Sequence, residues 1–552
     1  MNKYLLLILI LSFNQLFTQS YSDQLPIPPT VTGPVFNLNV GKSTKQFKSG
    51  AITNTYGVNA DYLGPTLLMN TGDIVTLNVT NNLTEPTTMH WHGMHVPAVD
   101  DGGPHNVIGV GETWSPDFTV MNKASVYWYH PHTMGLTNVH VSMGIAGLII
   151  VSDAEETALN LPRTYGVDDI PLVVQTKLLD ANNQVQISSQ MDSISMVNGV
   201  IKPYVNAPAQ MVRFRALNGS SSRTINIGTD DNRVMYQISS DGGMLEDPVP
   251  VTRILLSGGE RAEFLMDLAS ETVGNTFRFN SYMSEMTSNI EGGAGSAGHQ
   301  NPLFGTDWGF LEVRVIAQTA SPITALPGTM TTLTPYLEGD AAVTRPMLLN
   351  SNAQINGVSM DMNVINEVIE LDDIEIWTIT NTTPLAHPFH VHDVQFYILD
   401  RDDGGGPVAP SLTEAGLKDT VLVEAGETVR IISKFEDFAD DTIPYMYHCH
   451  NLIHEDNGMM GQFTVVDSSL GITETLRKSI SIFPNPSSDY VSIRIPDIFE
   501  IHGIILYDIN GKELLKFKTK IQELDIKHLP SGIYFLRIQS NLGTVVKRLG
   551  KS

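Results

Sequence analysis

Two stretches of the chain repeat one pattern in register, and this repeat limits the possible folds more than any other feature. Residues 72–96 read GDIVTLNVTNNLTEPTTMHWHGMHV, and residues 372–396 read DDIEIWTITNTTPLAHPFHVHDVQF. In each stretch an aspartate precedes two histidines by 17 and 19 residues, and a second His-x-His pair follows, in YHPH and YHCH. Matches in the same order predict two structurally related units.

The segment between the two repeats contains a third, similar pattern that lacks the histidines. NAPAQMVRFRALNGSSSRTINIG (residues 206–228) and GGERAEFLMDL (residues 258–268) lie at the corresponding places. Runs such as DIVTLNV, VRFRAL and IEIWTIT alternate and are rich in β-branched residues, which indicates strands. Glycine, proline, asparagine and aspartate separate them at intervals typical of sandwiches. The sequence therefore predicts an all-β fold of three related units, with candidate metal ligands in the outer two.

Length and charge divide the chain further. A chain of 552 residues suits about three to five domains. The net charge is −26, yet residues 473–552 hold 12 Lys and Arg against 8 Asp and Glu, so this segment is basic. Such a shift marks a domain boundary. The acidic remainder argues against nucleic-acid binding and favours neutral or cationic partners.

The N-terminus has the pattern of an export signal. It reads MNKYLLLILILSFNQLFTQS, a lysine followed by a short apolar run. The run is shorter than the ~20 residues that span a bilayer, and it indicates a cleaved signal peptide, residues 1–20. The sequence holds no other segment that suggests a transmembrane helix. We expect an exported protein, extracellular or at the cell surface, with the periplasm as the alternative.

The only cysteine of the chain, Cys449, lies in YHCHNLIHEDNGMM (residues 447–460). Because neighbouring side chains of a strand point to opposite faces, His448 and His450 should face one way and Cys449 the other. On the cysteine side, the available partners are His387, His454 and Met459. Two imidazoles, a thiolate and a weak thioether suit an electron-transfer copper better than zinc. The alternative is a cysteine and a methionine that serve only as apolar core.

The other side of this strand belongs to a larger set of histidines. The four His-x-His pairs supply eight imidazoles, four from each outer unit: His90, His92, His130, His132, His390, His392, His448 and His450. Eight are too many for one ion and enough for about three. One pair alone would be no more than a structural or exposed feature of a strand, but four pairs in two matched repeats favour a metal cluster where the outer units meet.

Five motifs resemble the multicopper oxidase family, in its three-domain branch of laccases, bilirubin oxidases and metallo-oxidases. They are HWHG (residues 90–93), WYHPH (128–132), YGVDDIPLVVQ (165–175), HPFHVH (387–392) and HCHNLIHEDNGMM (448–460). The similarity covers about residues 30–467. It implies three cupredoxin-like Greek-key β-sandwich domains, which we place at residues 26–155, 160–318 and 330–467.

The resemblance also implies four copper ions and their ligands. A type 1 copper would be held by His387, Cys449, His454 and Met459, and a type 2 copper by His90 and His390. A binuclear type 3 pair would be held by His92, His130, His132, His392, His448 and His450. The implied reaction is the one-electron oxidation of a donor, four times over, coupled to reduction of dioxygen to two waters. Cys449 would pass electrons along its strand to His448 and His450.

Two carboxylates match acidic positions that the family uses for protons. Asp101 follows the first His-x-His pair in DDGGP, and Glu455 follows His454. Oxygen reduction consumes protons, so an acid near the cluster is required. The alternatives are a turn residue for Asp101 and a solvated carboxylate for Glu455.

The electron donor is left open by the sequence. We expect phenols, aromatic amines or bilirubin-like molecules, because an axial methionine should lower the potential of the type 1 copper and favour easily oxidised donors. A metallo-oxidase of Cu(I), Fe(II) or Mn(II) is the second hypothesis. A copper-binding protein without enzymatic activity is the third, and the full set of ligands argues against it.

The basic C-terminal segment, residues 475–552, contains FPNP, LPSGIY and a basic end. Its alternating runs predict a small β-sandwich. The motifs resemble the type A sorting domain of the type IX secretion system. This resemblance implies that the secretion machinery is a partner and that the segment directs export. A fourth binding domain is the alternative.

Overall fold

Alternating burial explains why the first run of the chain forms strands. In residues 35–40 and in Ile74–Asn82, every second side chain is buried and its neighbours are exposed or half-buried. A strand with one apolar face must bury that face against a second layer. The computed structural model describes residues 21–187, 192–294, 303–351, 353–468, 479–496, 498–509, 511–541 and 543–552. The predicted signal peptide, residues 1–20, lies outside the described residues.

The first run forms two facing sheets. Its elements are β1 (Thr30–Thr32), β2 (Val35–Lys45), β3 (Thr53–Val58), β4 (Thr66–Asn70), β5 (Ile74–Asn82), β6 (His90–His92), β7 (Thr113–Trp114), β8 (Asp117–Thr119), β9 (Ser125–His130), α1 (Thr137–Met143), β10 (Gly147–Ser152) and α2 (Ala154–Thr157). The sheet orders are β1-β4-β10-β9-β6 and β3-β2-β5-β7, with β8 also on β5. The core between the sheets includes Phe36, Leu77, Trp91 and Tyr129.

The middle run also forms two sheets. Its strands are β11 (Asp169–Lys177), β12 (Ile194–Val197), β13 (Val200–Ile201), β14 (Tyr204–Pro208), β15 (Met211–Asn218), β16 (Ile225–Thr229), β17 (Met235–Ser240), β18 (Gly243–Val251), β19 (Ile254–Leu256), β20 (Arg261–Asp267), β21 (Thr276–Ser281) and β22 (Trp308–Ile316). Their orders are β13-β12-β11-β15-β20-β17-β18 and β14-β22-β21-β16-β19. Phe214 and Phe264 pack from one sheet onto Phe279 of the other.

The third run repeats the arrangement of the first. Its elements are β23 (Val343–Ser351), β24 (Gln354–Ile355), β25 (Glu367–Glu370), β26 (Ile374–Asn381), β27 (His387–Val391), β28 (Tyr397–Asp402), β29 (Thr420–Val423), β30 (Thr428–Lys434), β31 (Asp440–Cys449), α3 (Leu452–Asp456) and β32 (Met460–Val466). One sheet has the order β24-β23-β26-β30-β28, and the other contains β32-β31-β27-β29. Trp377 joins them through Phe389, Tyr447 and Phe463.

Short 3-10 helices cover Ala98–Asp100, Met283–Glu285, Glu338–Asp340 and Leu412–Glu414.

The described chain divides into two compact units. The first holds the residues up to Glu367, Asp373–Phe438 and Thr442–Thr464, and the second holds Val368–Asp372, Ala439–Asp441 and Val465–Ser552. None of the described helices is both long and apolar enough to cross a membrane.

The C-terminal segment has a small sandwich of its own. Its strands are β33 (Ser481–Phe483), β34 (Tyr490–Arg494), β35 (Ile501–Tyr507), β36 (Glu513–Phe517), β37 (Glu523–Asp525), β38 (Gly532–Ser540) and β39 (Gly543–Lys551). They form sheets of order β33-β34-β37 and β36-β35-β38-β39. Val491, Leu506, Leu536 and Ile538 are buried between them. The predicted all-β fold is therefore confirmed, while the predicted domain limits stay predictions.

The repeat in the sequence corresponds to a repeat in strand pairing. In the first run β6 pairs antiparallel with β9, so His90 lies opposite His130. In the third run β27 pairs antiparallel with β31, so His390 lies opposite His448. Equivalent strands thus bring the first and second His-x-His pairs of each run side by side.

Candidate metal centre

The sulfur of the lone cysteine faces two imidazoles. Cys449 is the last residue of β31, His387 the first of β27, and His454 lies in α3. Cys449 Sγ is 3.4 Å from His387 Nδ1 and 3.7 Å from His454 Nδ1. All three side chains are buried. The structure thus brings together one sulfur and two ring nitrogens, whose ligating atoms lie within 4.8 Å of one another.

Neighbouring groups orient this site. Thr383 Oγ1 lies 2.8 Å from His387 Nε2, which leaves Nδ1 towards the sulfur. Met459 is fully buried, and its backbone accepts from the Cys449 N–H and donates to the His454 carbonyl. Burial raises the pKa of the Cys449 thiol. Burial lowers the pKa of His454 to about 4, and burial together with His454 lowers that of His387 to about 3. These imidazoles are therefore neutral, as metal binding requires.

The eight histidines of the His-x-His pairs converge on the other side of β31. All are buried, and their rings are in mutual contact. His132 Nε2 and His392 Nε2 lie 3.1 and 3.3 Å from His448 Nε2. His92 Nδ1 lies 3.4 Å from His130 Nε2. Ring nitrogens of the first and third runs thus point into one shared space.

Several of these nitrogens have no partner in the described residues. His90 Nε2, His390 Nε2 and both ring nitrogens of His450 are buried without a hydrogen bond. Buried polar atoms without partners are rare in native proteins and indicate a missing ion or water. Burial lowers the pKa of six of the eight rings, helped by neighbouring imidazoles: His92, His130, His132, His390, His392 and His450. Neutral, inward-facing imidazoles of this number fit a group of copper ions.

Backbone carbonyls decide which nitrogen three of these rings leave free. The Nδ1–H groups of His90, His130 and His390 donate to the carbonyls of Asp101, Pro131 and Asp419, at 2.9, 2.8 and 2.8 Å. Their Nε2 atoms therefore face inward. His92 is reversed, because its Nε2 lies 3.1 Å from Asp419 Oδ1 and its Nδ1 faces inward. Such outer partners fix the tautomer of a metal-binding histidine.

The two candidate acids lie against the histidine cluster. Asp101 Oδ2 accepts from His392 Nδ1 at 2.8 Å. Glu455 lies between His448 and His132, with Oε2 3.2 Å from one Nδ1 and Oε1 3.4 Å from the other. Burial raises the pKa of both acids, but the adjacent imidazoles outweigh it. They hold the pKa of Asp101 well below its ordinary value and lower that of Glu455 to about 2. Glu455 is buried rather than solvated.

Asp101 also has the turn role that the sequence suggested. It follows the 3-10 helix Ala98–Asp100 and precedes Gly102, whose φ is +78°. A Cβ at Gly102 would meet the Met89 carbonyl at 1.7 Å, so only glycine fits there. Asp101 therefore combines a tight turn with hydrogen bonds to two cluster histidines.

Three residues at this site were not predicted from the sequence: Thr383, Asp419 and Arg261. Asp419 contacts two cluster histidines, and Arg261 donates to both oxygens of Asp419. No spacing rule points to Asp419 or Arg261, because Asp419 contacts His92 across 327 positions and Arg261 contacts Asp419 across 158. The one available signal was a charged GER segment in the unit without histidine pairs.

Comparisons with known proteins show which families the chain resembles. Models of the multicopper oxidase family match residues 39–156 and 329–469, and a model of the secretion system C-terminal sorting domain matches residues 481–551. The multicopper oxidase mco of Staphylococcus haemolyticus (strain JCSC1435) is 31% identical over 442 residues, which are 78% of this chain and 88% of the relative. The cell division protein FtsP of Sodalis glossinidius is 33% identical over 469 residues, 81% and 93% of the two chains.

Solved structures similar to this chain are also multicopper oxidases. The laccase-like multicopper oxidase CueO from an Ochrobactrum species is 33% identical with a TM-score of 0.72, over 80% of this chain and 100% of that one. The McoA multicopper oxidase of Aquifex aeolicus is 28% identical with a TM-score of 0.71, over 80% and 99%.

Sandwich domains that enclose a cysteine–histidine site beside a histidine cluster define a copper oxidoreductase architecture. The chain belongs to the multicopper oxidase family. The predicted cupredoxin-like fold is confirmed. Copper is the metal of this family, and a secretion sorting domain follows the oxidase body.

Proposed function

We propose that the protein is an exported oxidase that couples one-electron oxidation of phenolic, aromatic amine or bilirubin-like donors to the four-electron reduction of dioxygen to water. One observation carries the proposal: a single strand end turns the Cys449 sulfur towards His387 and His454, while His448 and His450 on either side join the imidazole cluster. This arrangement suits electron transfer from a sulfur-bound copper to a second copper group.

The unpartnered ring nitrogens support the proposed ligand assignment. His387, Cys449, His454 and Met459 would hold a type 1 copper, and His90 and His390 a type 2 copper. The type 3 pair would be held by His92, His130, His132, His392, His448 and His450. Copper bound at these sites would supply one-electron transfer and the reduction of dioxygen.

Residues of the chain exclude water from the histidine cluster and place two acids beside it. All eight cluster histidines are buried, so bulk solvent does not reach their ring nitrogens. Glu455 lies between His132 and His448. Its low pKa keeps it ionised, so it is placed to accept a proton and pass it on beside the cluster. Asp101 fixes the His392 ring through Nδ1 and is the second acid within reach. Cys449 gives the shortest covalent route between the two sites.

The surroundings of His387 favour an organic donor. Ala386 packs with Ile290 and Leu422, and half-buried Met286 adds to this apolar patch. The Ala386 N–H donates to the Asn289 carbonyl, so a loop of the middle run lies beside His387. Ile290, Ala386 and Leu422 are buried, so half-buried Met286 is the part of this patch that a donor could contact. An apolar contact suits an aromatic molecule, whereas a cation such as Fe(II) or Mn(II) prefers oxygen ligands. Met286 is a single thioether, which by itself is weak support for Cu(I).

Relatives of similar identity have two different names, multicopper oxidase and cell division protein, so identity does not decide the activity. The ligand residues of this chain support the oxidase. A copper-binding protein without enzymatic activity would not require an oxygen site of eight imidazoles.

Export is the second part of the proposal. The match of residues 481–551 to a secretion sorting domain supports recognition by a type IX secretion machinery. The apolar N-terminus supports an earlier step through a signal peptide at residues 1–20.

The test is oxygen consumption by the copper-loaded protein, with a phenol, bilirubin, Cu(I), Fe(II) or Mn(II) as donor and Cys449→Ser as the blank. We expect the organic donors to give the highest kcat/KM and Cys449→Ser to give no donor-dependent consumption. Faster turnover of a metal ion would assign the metallo-oxidase activity instead. A protein that binds copper but consumes no oxygen with any donor would overturn the proposal.

A further inference from the structure

Arg261, the first residue of β20, comes from the middle run, which has no candidate ligand, yet it lies at the histidine cluster. Its side chain is fully buried. A guanidinium has five N–H donors, and here all five are used. They donate to the carbonyls of Val126, Asp241 and Gly259 and to both carboxylate oxygens of Asp419, at 2.6–3.2 Å. Arg261 thus binds the first, middle and third runs at one point.

A second ion pair strengthens this junction. Two neighbouring charges of the middle run, Glu260 and Arg261, face two neighbouring charges of the third run, Lys418 and Asp419. Lys418 Nζ lies 2.9 Å from Glu260 Oε1 and 2.8 Å from Asp241 Oδ2. All of these side chains are buried. Paired charges in a low-dielectric interior tolerate little displacement, because an unpaired partner is costly. The backbone at Asp419 is therefore held in one position.

Asp419 contacts two cluster histidines, so its fixed position also fixes their rings. Its Oδ1 lies 3.1 Å from His92 Nε2, and its carbonyl accepts from His390 Nδ1 at 2.8 Å. The two rings stack with centroids 3.8 Å apart and planes 8° apart. Since Asp419 occupies His92 Nε2, only Nδ1 is free to face His130. Thr420 Oγ1 lies 3.3 Å from the same His92 nitrogen, so the Asp419 carboxylate is the nearer and the charged one of the two groups that favour the reverse orientation.

We propose that Arg261 is a positioning residue for the metal cluster: it holds Asp419 so that His92 presents Nδ1, and not Nε2, to the copper ions. This inference rests on the proposed function, since it concerns the same cluster. It assigns to the middle run a role in metal binding although that run contributes no ligand. A lysine cannot replace Arg261, because an ammonium has three donors and no planar fork.

The test compares Arg261→Met and Asp419→Asn with Arg213→Met. Arg213 is a matched control, because it is equally buried in the same sheet and forms ion pairs with Glu156 and Glu263, which are not ligands. Each protein is loaded with copper and dialysed against a chelator. Copper per chain, the blue absorption of the thiolate site and the electron paramagnetic resonance spectrum are then measured. Asp419→Asn keeps the size of the side chain, so it remains informative where Arg261→Met folds poorly.

We expect the cluster copper to bind about 10–100-fold more weakly in Arg261→Met and Asp419→Asn, while the blue absorption persists. Arg213→Met should keep all its copper and only melt at a lower temperature. Full retention of cluster copper in both test variants, or equal loss in Arg213→Met, would overturn the inference. A wild-type protein that takes up copper at the cysteine site alone would instead refute the proposed function.

Discussion

At the scale of the residue, the site depends on hydrogen bonds that occupy one nitrogen of several rings. Thr383 occupies Nε2 of His387, which turns Nδ1 towards Cys449. Backbone carbonyls occupy Nδ1 of His90 and His390, which leaves Nε2 inward. Histidine therefore presents Nδ1 at the cysteine site and Nε2 at most described positions of the cluster. The hydrogen-bond partner of the outer nitrogen determines which of the two faces inward.

Glu455→Gln tests the proton role at this scale. The amide keeps the size of the side chain but can neither accept nor release a proton, so we expect oxygen consumption at saturating donor to fall about 10²-fold. Copper content should be unchanged. The control is Glu263→Gln, a buried carboxylate whose partners are Arg213 and Arg215 and not histidines. It should lower the melting temperature and leave the rate per bound copper intact. Equal rates in Glu455→Gln and wild type would remove Glu455 from the mechanism.

At the scale of the element, strand ends and the turns beside them build the site. The turn before β20 reaches the cluster, since a Cβ at Gly259 would lie 3.0 Å from the His450 ring. The turns after β6 and β27 are joined by His95, whose Nδ1 lies 2.8 Å from Asp393 Oδ1 and whose Nε2 lies 3.2 Å from Asp437 Oδ2. Contacts between turns thus hold the pieces of the cluster in place.

Gly259→Ala should harm metal binding as well as stability. Gly259 has a φ of +88°, so a side chain is strained there, and its Cβ would press on His450. Gly274→Ala is the control, because its φ is +96° and its Cβ would meet nothing within 4 Å. We expect both variants to lose about 1–2 kcal/mol of unfolding free energy and only Gly259→Ala to lose copper in elemental analysis. Copper loss of equal size in both would contradict the contact with His450.

His95 should make stability depend on pH. Burial opposes its charge, but Asp393 and Asp437 raise its pKa to about 9. A folded-state pKa above the unfolded value of about 6.5 stabilises the fold fully below pH ~6.5, and this contribution is lost as the pH rises through about 9. We expect wild-type unfolding free energy to fall by about 2 kcal/mol over that window.

The measurement is denaturant unfolding of wild type and His95→Gln between neutral and alkaline pH. The variant should be less stable at neutral pH and should lack the decline. His105→Gln is the control, since His105 contacts the amide of Gln462 and, among the described residues, no carboxylate. A decline of the same size in His95→Gln would refute this account.

At the scale of the whole molecule, the candidate metal centre and the C-terminal sorting domain occupy separate stretches of the chain. The candidate metal centre uses residues between His90 and Met459, and the C-terminal sandwich between Ser481 and Lys551 has its own apolar core. The described C-terminal strands contain no group of three candidate metal ligands. The oxidase body therefore needs no residue of the C-terminal sandwich for its proposed chemistry.

Deletion of residues 479–552 tests this division. We expect the shortened protein to bind copper and to consume oxygen at the wild-type rate, because the deleted segment supplies no ligand. In its native cell it should remain inside the outer membrane, which cell fractionation would detect. Fusion of the segment to an inert exported protein is the matching control for export. A shortened protein that still leaves the cell would contradict the proposed sorting role.

The sequence predicted the all-β fold, the repeated units and the residues that meet at the two candidate metal sites. These follow from local rules: alternation along a strand separates Cys449 from His448 and His450, and equal spacing in two repeats places equivalent histidines on equivalent strands. The structure places His90 opposite His130 and His390 opposite His448, as such a repeat requires.

The orientation of the rings and the groups that hold them were decided only by the tertiary structure. Asp419 contacts His92 from 327 positions away, and Arg261 contacts Asp419 from 158 positions away. The spacing of residues along one strand determines the face on which a side chain lies, because the backbone geometry is local. Which nitrogen of His92 faces the cluster depends on a hydrogen-bond partner, and packing of distant segments delivers that partner.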